Sequence, residues 1–226
     1  MSHAFTQTVD GGGRATLVDL ATQALRHDLL TGELPPDSRI HLGETAARLQ
    51  MSAIPVREAL RTLATEGLVI ALPHRGYRVP DVSLADLEDI YRLRLVLDPM
   101  AVTLAVPNLS DADIERASRA LESLADALEA EDWLRMREAN HEFHFVCYEA
   151  AQAPRLLKLV SMLWENSERY QRLASPVRGT PKQRVEEHRR ILRALRARDA
   201  ERAATLTYEH LNRTYEMARE RLGETA

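Results

Sequence analysis

Four side chains in the second half of the chain have the types and spacing of a transition-metal site. Asn140 and His144 stand four residues apart around Phe143, in an Asn-x-x-Phe-His pattern. That spacing stacks an amide oxygen and an imidazole on one helix face. His188 and His210 fall in the middle of two later helical segments. Three imidazoles and one oxygen bind a divalent transition metal, zinc or nickel, and leave one or two positions open for a ligand. Each histidine alone is more simply a hydrogen-bonded core residue; the set of four favours a metal or a ligand pocket. His141 points roughly 100° away around the helix and is expected to take no part. Helical geometry adds pocket-lining candidates: Tyr148 lies one turn beyond His144 and Arg184 one turn before His188. Arg94 could meet the carboxylate of a small acid, with a plain bridge to Asp98 as the alternative. Trp133 and Trp164 fit core or dimer packing better than a ligand platform.

A second group has the chemistry of phosphate contact. The chain carries a net charge of -4, yet residues 48 to 78 hold five Arg (48, 57, 61, 75, 78) against two Glu. Arg57 and Arg61 lie one turn apart, opposite the apolar Val56, Leu60 and Leu63. Small residues at the start of that helix let backbone amides approach a phosphate. The plainer alternative pairs these arginines with Glu58 or Glu66 on an ordinary surface.

The elements that must position these groups are legible. Leu17, Leu20, Ala21, Ala24, Leu25 and Leu29 recur at helical spacing until Gly32. Residues 44 to 50 supply a short second helix. Ser52 then stands as an N-cap, with Pro55 in the first turn of a third helix that stops near Gly67. Beyond it the period changes: residues 68 to 72 and 77 to 79 read as strands joined by the turn Pro73-His74-Arg75-Gly76. Three helices and a two-stranded wing make a winged helix-turn-helix over residues 15 to 80, behind a flexible lead-in at 1 to 14. From 81 to 226 only helices are expected, at 83 to 106, 110 to 130, 132 to 151, 154 to 174, 181 to 197 and 199 to 222. Ser83 with Asp86 and Ser110 with Asp113 resemble capping boxes, and Pro99 should bend the first of these helices. Short connections imply an antiparallel bundle, so the fold class is mainly α.

With 226 residues, 45% hydrophobic and 28% charged, the chain has the composition of a globular protein, which excludes disordered, collagen-like and membrane classes. No apolar run reaches the roughly 18 residues of a membrane span. Residues 1 to 14 lack the pattern of a targeting segment, so a cytoplasmic location is expected. Cys147 is the only cysteine, which excludes an intrachain disulfide and any multi-cysteine cluster.

The run from Ser52 to Leu63, with Glu66-Gly67-Leu68-Val69 and the wing Arg75-Gly76-Tyr77-Arg78-Val79, resembles the DNA-binding domain of the GntR family of bacterial transcription regulators. The resemblance implies a double-stranded operator as partner. It implies that Ser52 and Arg57 anchor phosphates or bases, while His74, Arg75 and Gly76 reach the minor groove. Arg48 and Arg61 complete the basic set. The family usually carries Arg and Thr where this chain has Ala53 and Ile54, and some relatives have Arg at Gly43. Readout at those positions therefore differs here, by about 1 to 3 kcal/mol of discrimination for a lost guanine contact. Residues 83 to 220 are similar to the FCD domain of the FadR branch, in its smaller, VanR-like six-helix form. Its supporting features are Arg94 with Asp98 and the segment 187 to 192. That likeness implies a metal held by Asn140, His144, His188 and His210, which grips a small carboxylate effector. Asn140 replaces the usual Asp, so the site is one negative charge poorer.

The expected function is a homodimeric DNA-binding regulator, acting as a repressor, whose operator affinity a small organic acid modulates. Two other readings are a metal-dependent helical-bundle enzyme and a constitutive DNA-binding protein with a structural metal. The enzyme is the weaker, since no second ligand set and no obvious general base accompany the histidines.

Overall fold

The computed structural model describes residues 15–73, 75–174 and 181–225. The chain is mainly helical and divides into two compact units, Met1–Asp81 and Val82–Ala226.

In the first unit, α1 (Leu17–Thr31) opens on a reciprocal cap: the Thr16 hydroxyl accepts from the Asp19 amide and the Asp19 carboxylate from the Thr16 amide. After α2 (Leu42–Arg48), α3 (Ala53–Thr65) buries Val56, Ala59, Leu60 and Leu63 against Ala21 and Leu25 of α1. Each of these is wholly buried. Truncating Leu60 or Leu63 to Ala should therefore cost about 2–5 kcal/mol. The wing has three strands where two were expected. β1 (Arg39–Ile40) pairs antiparallel with β3 (Gly76–Arg78), which pairs antiparallel with β2 (Ile70–Leu72). A two-residue strand has no periodicity to read. Leu68 and Val69, expected in the strand, instead close the end of α3: both amides donate to the Leu63 carbonyl and both side chains are buried. Gly76 stands at φ 83°, and a Cβ there would meet the Ile40 carbonyl at 3.4 Å.

The second unit contains six helices among the described residues, and α4 (Leu84–Ala105) runs unbroken through Pro99. It packs against α6 (Trp133–Ala150), α7 (Pro154–Ala174) and α9 (Ala200–Thr225). α5 (Asp111–Glu129) packs on α6 and on α8 (Pro181–Arg196). Ser110 and Asp113 form the reciprocal cap of α5. At α4 only half of the expected box exists: Ser83 accepts from the Asp86 amide, but the Asp86 carboxylate is taken by Arg169 and the Tyr170 hydroxyl. The break expected between the helices at 154 to 174 and 181 to 197 lies outside the described residues. Between Leu93 and Leu109 the only charged residues, Arg94 and Asp98, are both 0% exposed and paired at 2.7 Å. Leu93, Val96, Met100 and Leu104 consequently form an exposed, uncharged strip along α4.

Candidate nucleic-acid interface and candidate metal centre

In the first unit, the outward side of α3 gathers the residues singled out from sequence. Ser52 has the extended N-cap backbone, with φ -71° and ψ 161°, but its hydroxyl makes no bond to the helix. That hydroxyl and the first-turn amides are consequently free for an anion. Ala53 is exposed, and Ile54 is 73% exposed, far more than folding would favour for isoleucine. Arg57 is exposed and makes no ion pair among the described residues, whereas Arg61 sits 3.4 Å from Glu58. Arg57, Leu42, Leu72, Pro73, Gly76 and Tyr77 line a shallow groove between helix and wing. Arg75 is exposed at the wing turn, where its amide donates to the Leu72 carbonyl at 3.0 Å. His74 lies outside the described residues. Arg48 bonds the buried Asp28 of α1, so its guanidinium has a structural partner that the sequence did not reveal. Arg78 is similarly bonded to Asp37. Arg39, exposed on β1 and without an ion pair among the described residues, was not singled out; only the pairing of β1 with the wing places it near the others.

In the second unit, α6, α8 and α9 bring His144, His188 and His210 together, with one ligand atom of each lying within 4.8 Å of the others. His188 Nδ1 lies 2.8 Å from the Arg184 carbonyl, which can only accept, so that nitrogen carries the proton. Its Nε2 is then a lone pair, and it faces Asn140 Oδ1 at 2.9 Å. Two acceptors in contact require a cation between them or a rotated amide. His144 Nε2 is buried with no hydrogen-bond partner. Burial, reinforced by the neighbouring histidines, holds the His144 imidazole well below its ordinary pKa and lowers that of His188 to about 3. Both rings are therefore neutral at physiological pH, the state in which imidazole is a ligand. His210 bonds Glu187 through Nδ1 at 2.8 Å, which turns Nε2 inward. Glu187 also holds Arg213; despite its burial, those bonds keep its carboxyl below the usual range. The donor set fits a divalent transition metal: three imidazole nitrogens, one amide oxygen, and a carboxylate behind one ring. Glu187 restores, one bond further out, part of the charge that Asn140 lacks. His141 is stacked on Phe145 at 3.8 Å and is not in the cluster.

Beside the cluster lies a cavity of about 100 Å³ whose walls include Asn140, His188, His210, Arg184, Arg137 and Glu168. Arg184 makes no side-chain ion pair among the described residues, and burial lowers its pKa. Arg94 and Tyr148, expected beside it, do not line this cavity. Arg94 donates to Asp98 Oδ2 through Nε and Nη2 and to Ser167 through Nη1, and lies over Trp164 at 4.6 Å. The Tyr148 hydroxyl donates to the same Asp98 oxygen at 3.2 Å. Burial opposes the Arg94 charge, but Asp98 outweighs it and keeps the guanidinium protonated. The carboxylate that Arg94 meets is thus internal. Arg137, Glu168 and Glu187 were not singled out from sequence, because their partners come from other helices.

Comparison with known proteins completes the picture. Residues 17–79 match the bacterial regulatory proteins of the gntR family, and residues 89–213 match the FCD domain. The HTH-type transcriptional regulator McbR of Escherichia coli (strain K12) is 34% identical over 157 residues, 68% of this chain and 71% of that protein. The HTH-type transcriptional repressor GlaR of the same organism is 28% identical over 196 residues, 83% of this chain and 89% of that one. The solved structure of E. coli McbR/YncC superposes with a TM-score of 0.82 at 28% identity, covering 92% of this chain and 99% of that one.

Proposed function

Because the chain belongs to the GntR family of bacterial regulators and carries an FCD domain, we propose that it is a repressor whose operator affinity is modulated by a small organic acid bound in a metal-holding pocket. It is a transcription regulator and not an enzyme, as its relatives are. On this reading the operator is contacted by Ser52, Ala53, Ile54, Arg57, Arg61, His74, Arg75 and Gly76. Arg48 keeps part of its guanidinium for phosphate. Ile54 suits the methyl group of a thymine, a contact the usual Thr there makes less fully. The exposed strip on α4 supports a homodimer: a second copy covers it without stranding a charge, and two copies meet two half-sites of a palindrome. Location in the cytoplasm follows from the operator as target.

The observation that carries the sensing half is the convergence of His144, His188 and His210, whose ligand atoms lie within 4.8 Å of one another, with Nε2 of His144 buried and unpartnered. Asn140, His144, His188 and His210 hold the ion, zinc or nickel. When bound, it supplies a Lewis-acidic position for a carboxylate oxygen. Arg184, the cavity cation without an ion pair among the described residues, receives the other oxygen. Glu187 orients His210, and the Arg184 carbonyl orients His188. Coupling of about 1–3 kcal/mol between pocket and operator gives a 5- to 150-fold change in affinity. The test is elemental analysis of protein purified without a histidine tag, with operator binding measured on the same samples. One metal ion per chain is expected in wild type and in His141→Ala, and none in His188→Ala. Equal metal in all three would leave the histidines as core residues.

A further inference from the structure

Three described helices open on the same cap sequence, a Ser or Thr followed three residues later by Asp: Thr16 with Asp19, Ser83 with Asp86 and Ser110 with Asp113. In α1 and α5 the box closes on itself, with the carboxylate 2.9 Å from the cap amide. In α4 a residue of another helix stands inside it. The Ser83 amide donates to the Tyr170 hydroxyl of α7 at 3.3 Å, and that hydroxyl donates to Asp86 Oδ2 at 2.6 Å. Arg169 bonds the same oxygen and lies over the Tyr170 ring at 5.1 Å. The backbone differs accordingly: φ at Ser83 is -143°, against -74° at Thr16 and -85° at Ser110. Val82 packs on the cluster that holds Leu87, Tyr91 and Tyr170. The helical unit begins at Val82, so rotation about this one bond of Ser83 redirects the chain where it leaves for the first unit.

We propose that the first turn of α4 is a strap with two positions. In the bridged position, that of this structure, the Tyr170 phenol is inserted between Ser83 and Asp86 and the direction of the chain is fixed. In the self-capped position the Asp86 carboxylate returns to the Ser83 amide, as its counterparts do in α1 and α5, and the strap lifts from α7. Neither position strands a buried polar group: lifting gives the Ser83 amide a carboxylate and opens the Tyr170 hydroxyl and Arg169 to water. α7 also ties the strap to the pocket. Glu168, next to Arg169, lines the cavity and forms an ion pair at 2.7 Å with Arg137 of α6, one turn before Asn140. With Asn140 and His144 engaged on an ion, that face of α6 is fixed, and the ion pair passes the constraint to α7. Metal in the pocket therefore favours the bridged position. This control rests on the reading of the histidines as a metal site; the strap itself does not.

Hydrogen exchange on the full chain, either stripped with a chelator or loaded with zinc, tests this, with zinc content measured on the same samples. A helix start held only by its own cap frays more than one docked on a neighbour. Residues 83–88 should therefore exchange at least about fivefold more slowly with zinc, the lower end of ordinary coupling between sites. Tyr170→Phe keeps the ring and removes the bridge. It should still bind one zinc per chain, yet exchange fast at 83–88 in both states, while residues 110–116 at the closed box of α5 stay as in wild type. Adding Asp86→Ala to Tyr170→Phe should quicken 83–88 again, because the self-cap is lost too; no further change means that Asp86 has no second position, which overturns the strap. Zinc that binds wild type without slowing 83–88 overturns control by the pocket and leaves the metal site standing. A chain that binds no zinc overturns both. The wild-type comparison decides the matter even if the double variant does not fold.

Discussion

Arg57 and Arg94 place the same side chain in opposite settings, and their contrast runs through the two units. Arg57 stands on the outer side of α3 with no ion pair among the described residues. Arg94 is 0% exposed and bonded to Asp98 and Ser167. In the first unit Ser52, Ile54, Arg57 and Arg75 face outward and wait for a partner, so folding does not depend on them, while Arg48 and Arg78 are already bonded to Asp28 and Asp37. In the second the groups with chemistry are turned inward and hold one another, so the pocket and the core share their atoms. Function can be removed at Arg57 without touching stability; in the second unit, the two change together.

Arg94→Ala should have the largest effect. It leaves the Asp98 carboxylate buried without its cation, which destabilises the helical unit by about 3–5 kcal/mol. Calorimetry of the full chain measures this, and a loss under about 1 kcal/mol would blur the contrast, because most surface changes cost less than that. Arg57→Ala should leave the melting temperature unchanged while operator affinity falls by about 1–3 kcal/mol. Its log-log salt dependence should become shallower by about one, as for the loss of a phosphate contact. Fluorescence anisotropy with labelled operator at two salt concentrations checks both, and unchanged affinity removes Arg57 from the interface.

Ser110→Ala tests a smaller and purely local part of the second unit, the cap of α5, worth about 1 kcal/mol in a urea melt. The bonds from Ser110 hold the Asp113 carboxyl below its ordinary range. A carboxyl lowered on folding contributes stability above its unfolded pKa and loses it as pH falls through the folded value. The gap between wild type and Ser110→Ala should accordingly narrow as the pH drops below about 4, leaving the part due to the Asp113 amide's bond to the Ser110 hydroxyl. The smallest effect expected is none at all: burial pushes the Cys147 thiol up to about 12, so a disulfide reagent at pH 8 should leave the folded protein unlabelled. Rapid labelling would mean that the buried face of α6 opens readily.

The two units also differ in how much of them could be read in advance. Helices were legible because apolar spacing, capping residues and prolines act within a few positions, and the Asn140–His144 pair was legible for the same reason. What escaped were contacts between residues far apart in sequence. The Asp86 carboxylate abandons its half of a cap for Arg169 and Tyr170, 83 and 84 residues away. β1 exists only because β3 pairs with it. Arg94 was correctly paired with Asp98 as one of two alternatives, but its burial beneath Trp164 and Ser167 was invisible, and so was the cavity wall of Arg137 and Glu168. Arg48 counts in the basic set by sequence, and its partner Asp28 lies 20 residues away on another helix.

One position in the wing sets a limit for anyone wishing to redirect this protein to a different DNA sequence. Residue 76 combines a left-handed backbone with a carbonyl of β1 at contact distance, so a library that varies it mostly samples damaged wings. Positions 53, 54 and 75 carry no such obligation, and randomising those three explores new specificities on an intact scaffold.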